Sequence, residues 1–321
     1  MLRAGVIGVG AVGQHHARVY AALPGVRLVA VADIVPERAA EVARSSAAEP
    51  HTEYRHLLGN LDVVSIATPT SLHAEIGEKF LRSGAHVLVE KPIASTLAEA
   101  DRLIAAAAAS GRVLQVGHVE RFNPAVRAVR EFVKRPRFFE AHRMGVFAPR
   151  SLDVDVVLDL MIHDLDIISL LVGSPPEEIQ AVGIAILSRR IDIANARIRF
   201  AGGCVANVTA SRVSMEKIRK LRLFQAREYI SLDYSLQQAA VFTLAPAETE
   251  DEELRPDRIG HRLLAPGREE PLEIELRAFV AAARGEAGVE CTGEDGKAAL
   301  GLALRIRDLA EEAQRRETAR V

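Results

Sequence analysis

Gly8-Val9-Gly10-Ala11-Val12-Gly13 joins two segments of different period. Arg3 to Val9 is a short apolar run that reads as a strand, and Ala11 to Leu23 carries apolar residues at helical spacing. A strand, a G-x-G-x-x-G turn and a helix form a dinucleotide-binding fingerprint when an acidic residue ends the next strand about twenty residues on. Val26 to Ala32 is that next strand, and Asp33 ends it. Gly8 then permits the tight turn, Gly10 lets backbone approach a pyrophosphate, and Gly13 lets the helix pack on the strand. The helix start at Ala11 and Val12 faces the phosphates. Glycines in an unrelated strand–helix turn remain the bland reading, against which Asp33 weighs.

Asp33 chooses the nucleotide. A carboxylate there accepts hydrogen bonds from a ribose diol and repels a 2′-phosphate. Ile34-Val35 offer no arginine to neutralise such a phosphate, and Arg38 lies a helical turn further on. The expected cofactor is NAD, with NADP the lesser alternative.

Outward from this unit the chain keeps the same rhythm. Pro36 opens a helix, Leu61–Ala67 is a strand, Leu72–Ser83 a helix ending near Gly84, and His86–Glu90 a strand. An alanine-rich helix, Thr96–Ser110, stops at Gly111, and Val113–Gly117 is a fifth strand. Near-continuous apolar strands between helices imply a doubly wound parallel sheet covered on both faces. After Pro124 the pattern changes. Helices are expected at Pro124–Lys134 and Val156–Val172, a strand at Phe138–Met144, and then period-two runs at Ile179–Leu187, Ala194–Phe200, Cys204–Ala210, Lys220–Phe224, Tyr229–Tyr234 and Ala240–Leu244. That half reads as α+β with a large, mostly antiparallel sheet. Residues 247–267 read as an acidic surface loop, and helices follow at Leu272–Ala283 and Asp295–Gln314.

Length and composition limit the function classes. A chain of 321 residues suggests two domains, here 1–120 binding NAD and 121–321 binding substrate and forming oligomers. The helix about 295–314 is expected to pack back on the first domain. A net charge of −2 gives no global field for nucleic acid or an anionic membrane. No apolar run approaches the roughly 18 residues of a membrane span, and Met1-Leu2-Arg3 leads into the first strand without a signal-peptide pattern. Cys204 and Cys291 are too few for a disulfide framework or a four-thiolate site, so a reduced, cytoplasmic protein is expected.

Three further segments carry chemistry. Thr68-Pro69-Thr70-Ser71-Leu72-His73 follows the third strand, where open parallel sheets bind ligands, although Thr70 or Ser71 can equally cap the next helix. Glu90-Lys91-Pro92 ends the fourth strand. Lysine is scarce, six among 41 basic residues, and Lys91 at this position can polarise a substrate oxygen or exchange a proton; a surface salt bridge is its bland reading. Asp159-Leu160-Met161-Ile162-His163 sets a carboxylate and an imidazole at i and i+4, which suits a general base oriented by an acid but also an ordinary helix pair. Asp164 and Asp166 point to other faces, so no metal site is expected.

Together these segments resemble the Gfo/Idh/MocA family of oxidoreductases, over essentially the whole chain. The resemblance implies an N-terminal Rossmann domain that binds NAD(P), a C-terminal domain whose open sheet face forms a dimer or tetramer interface, and a substrate held between the domains. It also implies catalytic roles for Lys91, Asp159 and His163, the last two touching substrate with Lys91, and cofactor contacts from Gly8–Gly13, Asp33, Ile34, Thr68, Pro69, His73, Glu90 and Lys91. Asp153-Val154-Asp155 departs from the family's glycine-rich approach to the aspartate. Segments 117–124, 155–164 and 192–197 are similar to the branch of this family that oxidises the 3-hydroxyl of UDP-N-acetylglucosamine. Arg121 and Asn123 become substrate-contact candidates there, although Arg121 can instead pair with Glu120 or the cofactor. The implied reaction is hydride transfer from a secondary sugar hydroxyl to NAD, with His163 or Lys91 taking the proton. Dehydrogenation of a free sugar or inositol, a non-catalytic NAD-binding regulator and an NAD-retaining glycosidase are the rival readings.

Overall fold

The computed structural model describes residues 1–147, 154–245 and 258–318. Two compact units emerge, Met1–Phe122 with Glu270–Leu300, and Asn123–Glu269 with Gly301–Val321. The second domain expected to run unbroken from 121 to 321 therefore gives up a segment near its end to the first unit.

The first unit contains β1 (Leu2–Ile7), α1 (Gly13–Ala22), β2 (Val26–Ala32), α2 (Pro36–Ser46), β3 (Glu49–His51), β4 (Val63–Ile66), α3 (His73–Arg82), β5 (His86–Glu90), α4 (Leu97–Ser110) and β6 (Leu114–Gly117). Its sheet has the order β3-β2-β1-β4-β5-β6 and every pairing is parallel. Chain direction across the sheet reverses at β1, which places the ligand crevice of such a sheet beyond the ends of β1 and β4. Local chemistry sets the element ends. Thr96 accepts from the Glu99 N–H at the start of α4, and Gly111 ends that helix in the left-handed region. On one face Ala17, Val19 and Tyr20 of α1 pack with Val6, Val31 and Val63 of the sheet. Leu276, Phe279 and Val280 of α7 (Pro271–Ala283) join the same core, which is why that late helix belongs to this unit.

The second unit contains α5 (Pro124–Val129), β7 (Pro136–Met144), α6 (Ile162–Val172), β8 (Pro176–Ile184), β9 (Ile193–Phe200), β10 (Val205–Ser211), β11 (Ile218–Gln225), β12 (Glu228–Asp233), β13 (Gln238–Leu244) and β14 (Ile259–Leu264). The order is β14-β13-β12-β11-β7-β10-β9-β8, antiparallel except where β10 lies parallel to β7. Alternation sorts the faces: Phe139, Ala141, Ala196, Ile198, Ala206, Val208, Leu221, Leu223, Ile230 and Leu232 are buried. α5 and α6 pack on strands of this sheet. One rung of the sheet sets Phe138, Phe224, Tyr229, Phe242 and His261 side by side across five strands, with ring centroids 4.7 to 5.7 Å apart.

Three expectations need correction. The helix expected over Pro124–Lys134 ends at Val129 and tightens into a 3₁₀ turn at Arg130–Phe132. The helix expected over Val156–Val172 begins as a π turn, Val157–Met161, before α6. Within the loop expected at 247–267, β14 pairs with β13; residues 246–257 lie outside the described set. The last helix, α8 (Gly293–Thr318), spans the unit boundary at Leu300/Gly301. Its first turns lie close against the first unit, where a Cβ on Gly296 would come within 2.6 Å of Val116. Among the described residues no helix is long and apolar enough to cross a membrane.

Candidate active site

The three glycines of the turn meet three different constraints. Gly8 has φ +82°, and a Cβ there would lie 2.8 Å from the Ala67 carbonyl oxygen. A Cβ on Gly13 would lie 1.8 Å from the Gly8 carbonyl oxygen. At Gly10 the nearest atom to a Cβ is Arg38 Nη1, at 3.8 Å, so this glycine leaves an open approach to its backbone. The N-terminus of α1 has no side-chain cap and no acidic residue in its first turn. Its N–H groups and positive dipole end are thus available to an anion. Open backbone, a donor-rich helix end and a carboxylate at the next strand end fit a dinucleotide. Val12 and Ile34 are exposed beside these groups.

Asp33 is held in place before any ligand arrives. It is buried, and its carboxylate accepts the N–H of Val9 (3.0 Å) and of Val35 (2.9 Å). Arg38 reaches the same carboxylate, Nη1 lying 3.4 Å from each oxygen. The distance inferred for Arg38 from sequence was too great. It sits in the first turn of α2, and its side chain returns to the strand end.

The two loops beyond β4 and β5 are tied together by His73. Its Nδ1 lies 2.9 Å from the Pro92 carbonyl and its Nε2 2.8 Å from the Thr68 carbonyl. The ring is 1% exposed, and both nitrogens face these backbone oxygens. Burial pushes the His73 pKa down, while the two carbonyls and Glu90 oppose it. Neither Thr70 nor Ser71 caps α3: Leu72 occupies the cap position with no side-chain bond. Pro69 is exposed and Thr68 partly buried at the end of the strand.

Glu90 faces inward. His16 of α1 bonds it through Nε2 at 3.0 Å, and the Lys91 backbone N–H reaches its other oxygen at 3.3 Å. Burial favours the neutral form of Glu90, but His16, Lys91 and His73 outweigh it and hold the pKa below its ordinary value. Gly117 on the neighbouring strand makes room, since a Cβ there would lie 3.0 Å from the Glu90 carboxylate. Lys91, the next residue, is partly exposed.

In the second unit Asp159 lies within the π turn and His163 in the first turn of α6, both partly exposed. Asp155 starts this helix. Its carboxylate accepts the N–H groups of Val157 (2.9 Å) and Leu158 (3.0 Å), and its carbonyl accepts that of Asp159 (3.0 Å). Asp164 is buried in a bidentate pair with Arg143 of β7, at 2.6 and 3.2 Å. Among the described residues no group of three His, Cys, Asp or Glu is placed to hold a metal ion. Of the non-glycine approach noted in the sequence, Asp153 lies outside the described residues.

Arg121 and Asn123 are both buried. Arg121 is 6% exposed and bonds Asp295 (3.2 Å) and the Glu290 carbonyl (3.0 Å). Asn123 caps α5 through Ala125 N–H (3.1 Å) and donates to the Tyr234 carbonyl (3.1 Å). Sequence reasoning missed His16 and Asp155. The signal for Asp155 was present, an N-cap residue just before an apolar helical run.

An oxidoreductase family with an NAD-binding Rossmann fold matches residues 2–118, and the GFO/IDH/MocA C-terminal domain matches residues 125–226. The chain is 38% identical over 313 residues to UDP-N-acetylglucosamine 3-dehydrogenase of Acidithiobacillus ferrooxidans, covering 97% of each. The solved structure of that relative superposes with a TM-score of 0.89 at 37% identity, over 97% of this chain and 98% of that one. Inositol 2-dehydrogenase of Rhizobium meliloti is 27% identical over 98% of both chains. A levoglucosan dehydrogenase in complex with NADH and levoglucosan has a TM-score of 0.84 at 25% identity, over 97% of both chains. With its glycine cradle, Asp33 and both matched domains, the chain belongs to the Gfo/Idh/MocA family of NAD-binding oxidoreductases.

Proposed function

We propose that this protein is an NAD-dependent dehydrogenase that oxidises the 3-hydroxyl of UDP-N-acetylglucosamine to a ketone. The observation that carries this reading is the 38% identity to the Acidithiobacillus enzyme over 97% of both chains; the inositol dehydrogenases lie further away. Bound NAD supplies the acceptor for the hydride. Gly8 to Gly13 would take its pyrophosphate, Asp33 its ribose diol, and Ile34, Thr68, Pro69 and the Glu90-Lys91 turn would border it. His73 contributes by fixing the loops that carry Thr68 and Pro92.

In this reading His163 takes the proton of the sugar hydroxyl as the carbonyl forms. Asp159 favours the protonated imidazole. Lys91 hydrogen-bonds the reacting oxygen and stabilises its developing negative charge. The protein works in the cytoplasm, a setting that a chain with only two cysteines, both buried, suits. A second copy of the chain covers the ring-lined face of the large sheet, where Val182 and Ile184 are exposed.

The test mixes protein, NAD and UDP-N-acetylglucosamine with a ketone trap and follows reduced nicotinamide by absorbance. Growth of the band is expected, and His163→Asn should lower turnover by about 10²–10⁴ while leaving NAD affinity within a few-fold. No band with this sugar, alongside a band with inositol or a free sugar, would overturn the substrate assignment.

A further inference from the structure

The interior of the first unit holds a polar cluster of which only Glu90 belongs to the cofactor site proposed above. α1 contributes His16 and Tyr20, β4 Ser65, β5 Glu90, β6 Gln115 and α7 Glu275. His16, Tyr20, Ser65, Gln115 and Glu275 are all fully buried. Tyr20 and Ser65 share a hydrogen bond of 2.9 Å, and Gln115 Nε2 donates to the Glu275 backbone carbonyl at 3.5 Å. Neither carboxyl oxygen of Glu275 meets a donor among the described residues.

A buried carboxylate without donors is so costly that the group keeps its proton instead. Two neighbouring carboxyls in one low-dielectric interior do not both ionise. The count of donors decides which one does. Glu90 accepts from His16 and from the Lys91 N–H; Glu275 accepts from none. Burial raises the Glu275 pKa well above the carboxylate range, and the Glu90 charge raises it further. Burial also raises the Tyr20 phenol, against which its hydrogen bond with Ser65 works. Other titratable groups stand on the packed elements, among them His118, buried just after β6. His73 acts on Glu90 from the start of α3, and the turn Val119–Phe122 packed on α7 brings Glu120 and Arg121, the latter bonded to Asp295.

We propose that Glu275 is a proton-holding positioning residue: it stays a neutral acid while Glu90 alone is the anion, so the turn that carries Lys91 rests on one buried negative charge and not two. Ionising Glu275 at alkaline pH doubles that charge. The oxidised nicotinamide is a cation and the reduced one is neutral, so the second charge favours NAD⁺ over NADH. The consequence for Lys91 rests on its catalytic role proposed above; the proton on Glu275 does not.

The test compares the full-length chain with Glu275→Gln in three ways. The infrared carbonyl stretch of a protonated carboxyl is expected in the wild type at neutral pH and lost in the variant; its absence from the wild type would overturn the proposal, and this arm stands even where the variant does not fold. Because a raised folded-state pKa removes stability as pH rises above the ordinary carboxylate range, the thermal midpoint of the variant should gain on that of the wild type with increasing pH. A gap independent of pH counts against the assignment. Finally, the ratio of NADH to NAD⁺ dissociation constants should rise several-fold at alkaline pH in the wild type and stay flat in Glu275→Gln. Equal rises in both would place the titrating group elsewhere. If all three hold while UDP-N-acetylglucosamine is not oxidised, the substrate reading fails and the proton assignment survives.

Discussion

Arg38 Nη1 lies 3.4 Å from both carboxylate oxygens of Asp33, so the acid at the end of β2 already has a cationic neighbour. Asp33→Ala removes the acceptor for a ribose diol and releases Arg38 toward the same space. Loss of a charged hydrogen bond of about 1.5–3 kcal/mol predicts roughly ten- to hundredfold weaker NAD binding, with NADP binding improved. Arg38→Ala in that background should cancel the NADP gain. Calorimetric titration with each dinucleotide reads both.

The glycine turn separates stability from binding. Gly10→Ala meets nothing nearer than 3.8 Å, so its stability should stay within about 0.5 kcal/mol of wild type while NAD affinity falls. Gly8→Ala should lose both, because its Cβ meets the Ala67 carbonyl at 2.8 Å and its φ is +82°. Denaturant unfolding beside NAD titration distinguishes the two variants.

Asp155 joins helix stability to the presentation of Asp159. Replacing it with alanine removes the acceptor for two N–H groups, which predicts a loss of about 1 kcal/mol in stability. Turnover should fall as well, since the two side-chain bonds that start this helix also hold the turn that carries Asp159. A serine at 155 should recover most of the stability.

The hairpin between β8 and β9 is closed by Asp192, whose carboxylate accepts three successive N–H groups, Ile186, Leu187 and Ser188, and pairs with Arg212. Burial works against its charge, but the Ser188 hydroxyl and these N–H groups hold its pKa well below the carboxylate range. A lowered folded-state pKa gives stability that is present above the ordinary carboxylate value and lost as pH falls through the folded one. Thermal midpoints should therefore drop on acidification more steeply in wild type than in Asp192→Asn, which starts lower at neutral pH.

The first unit was legible because its signals are local. Three glycines, Asp33 and Pro36 each act within a few residues of where they stand, and they mark the turn before α1, the end of β2 and the start of α2. What stayed hidden depends on distant partners. β3, with Pro50 at its centre, forms only because it pairs with Ala30–Ala32. β14 is exposed along nearly all its length, so no alternation announces it; its partner β13 creates it. Glu275 sits among Leu272, Leu276 and Phe279 in a helical pattern, and its burial beside Glu90 is visible only once α7 is seen on the first unit. The contacts of Arg121 with Asp295 and of Asn123 with Tyr234 likewise join residues far apart in sequence.

The π turn at Val157–Met161 is, in effect, an α-helix carrying one residue more than its ladder requires. Each residue of an α-helix advances about 100° around the axis, so the extra one sets the rotational phase of everything before it relative to His163. Excising a single residue from Leu160–Met161 would let the ladder close and leave a helix that is more regular yet presents Asp159 more than a quarter of a turn away relative to His163. In this segment, a gap of one position matters more to chemistry than the identity of the apolar residue removed.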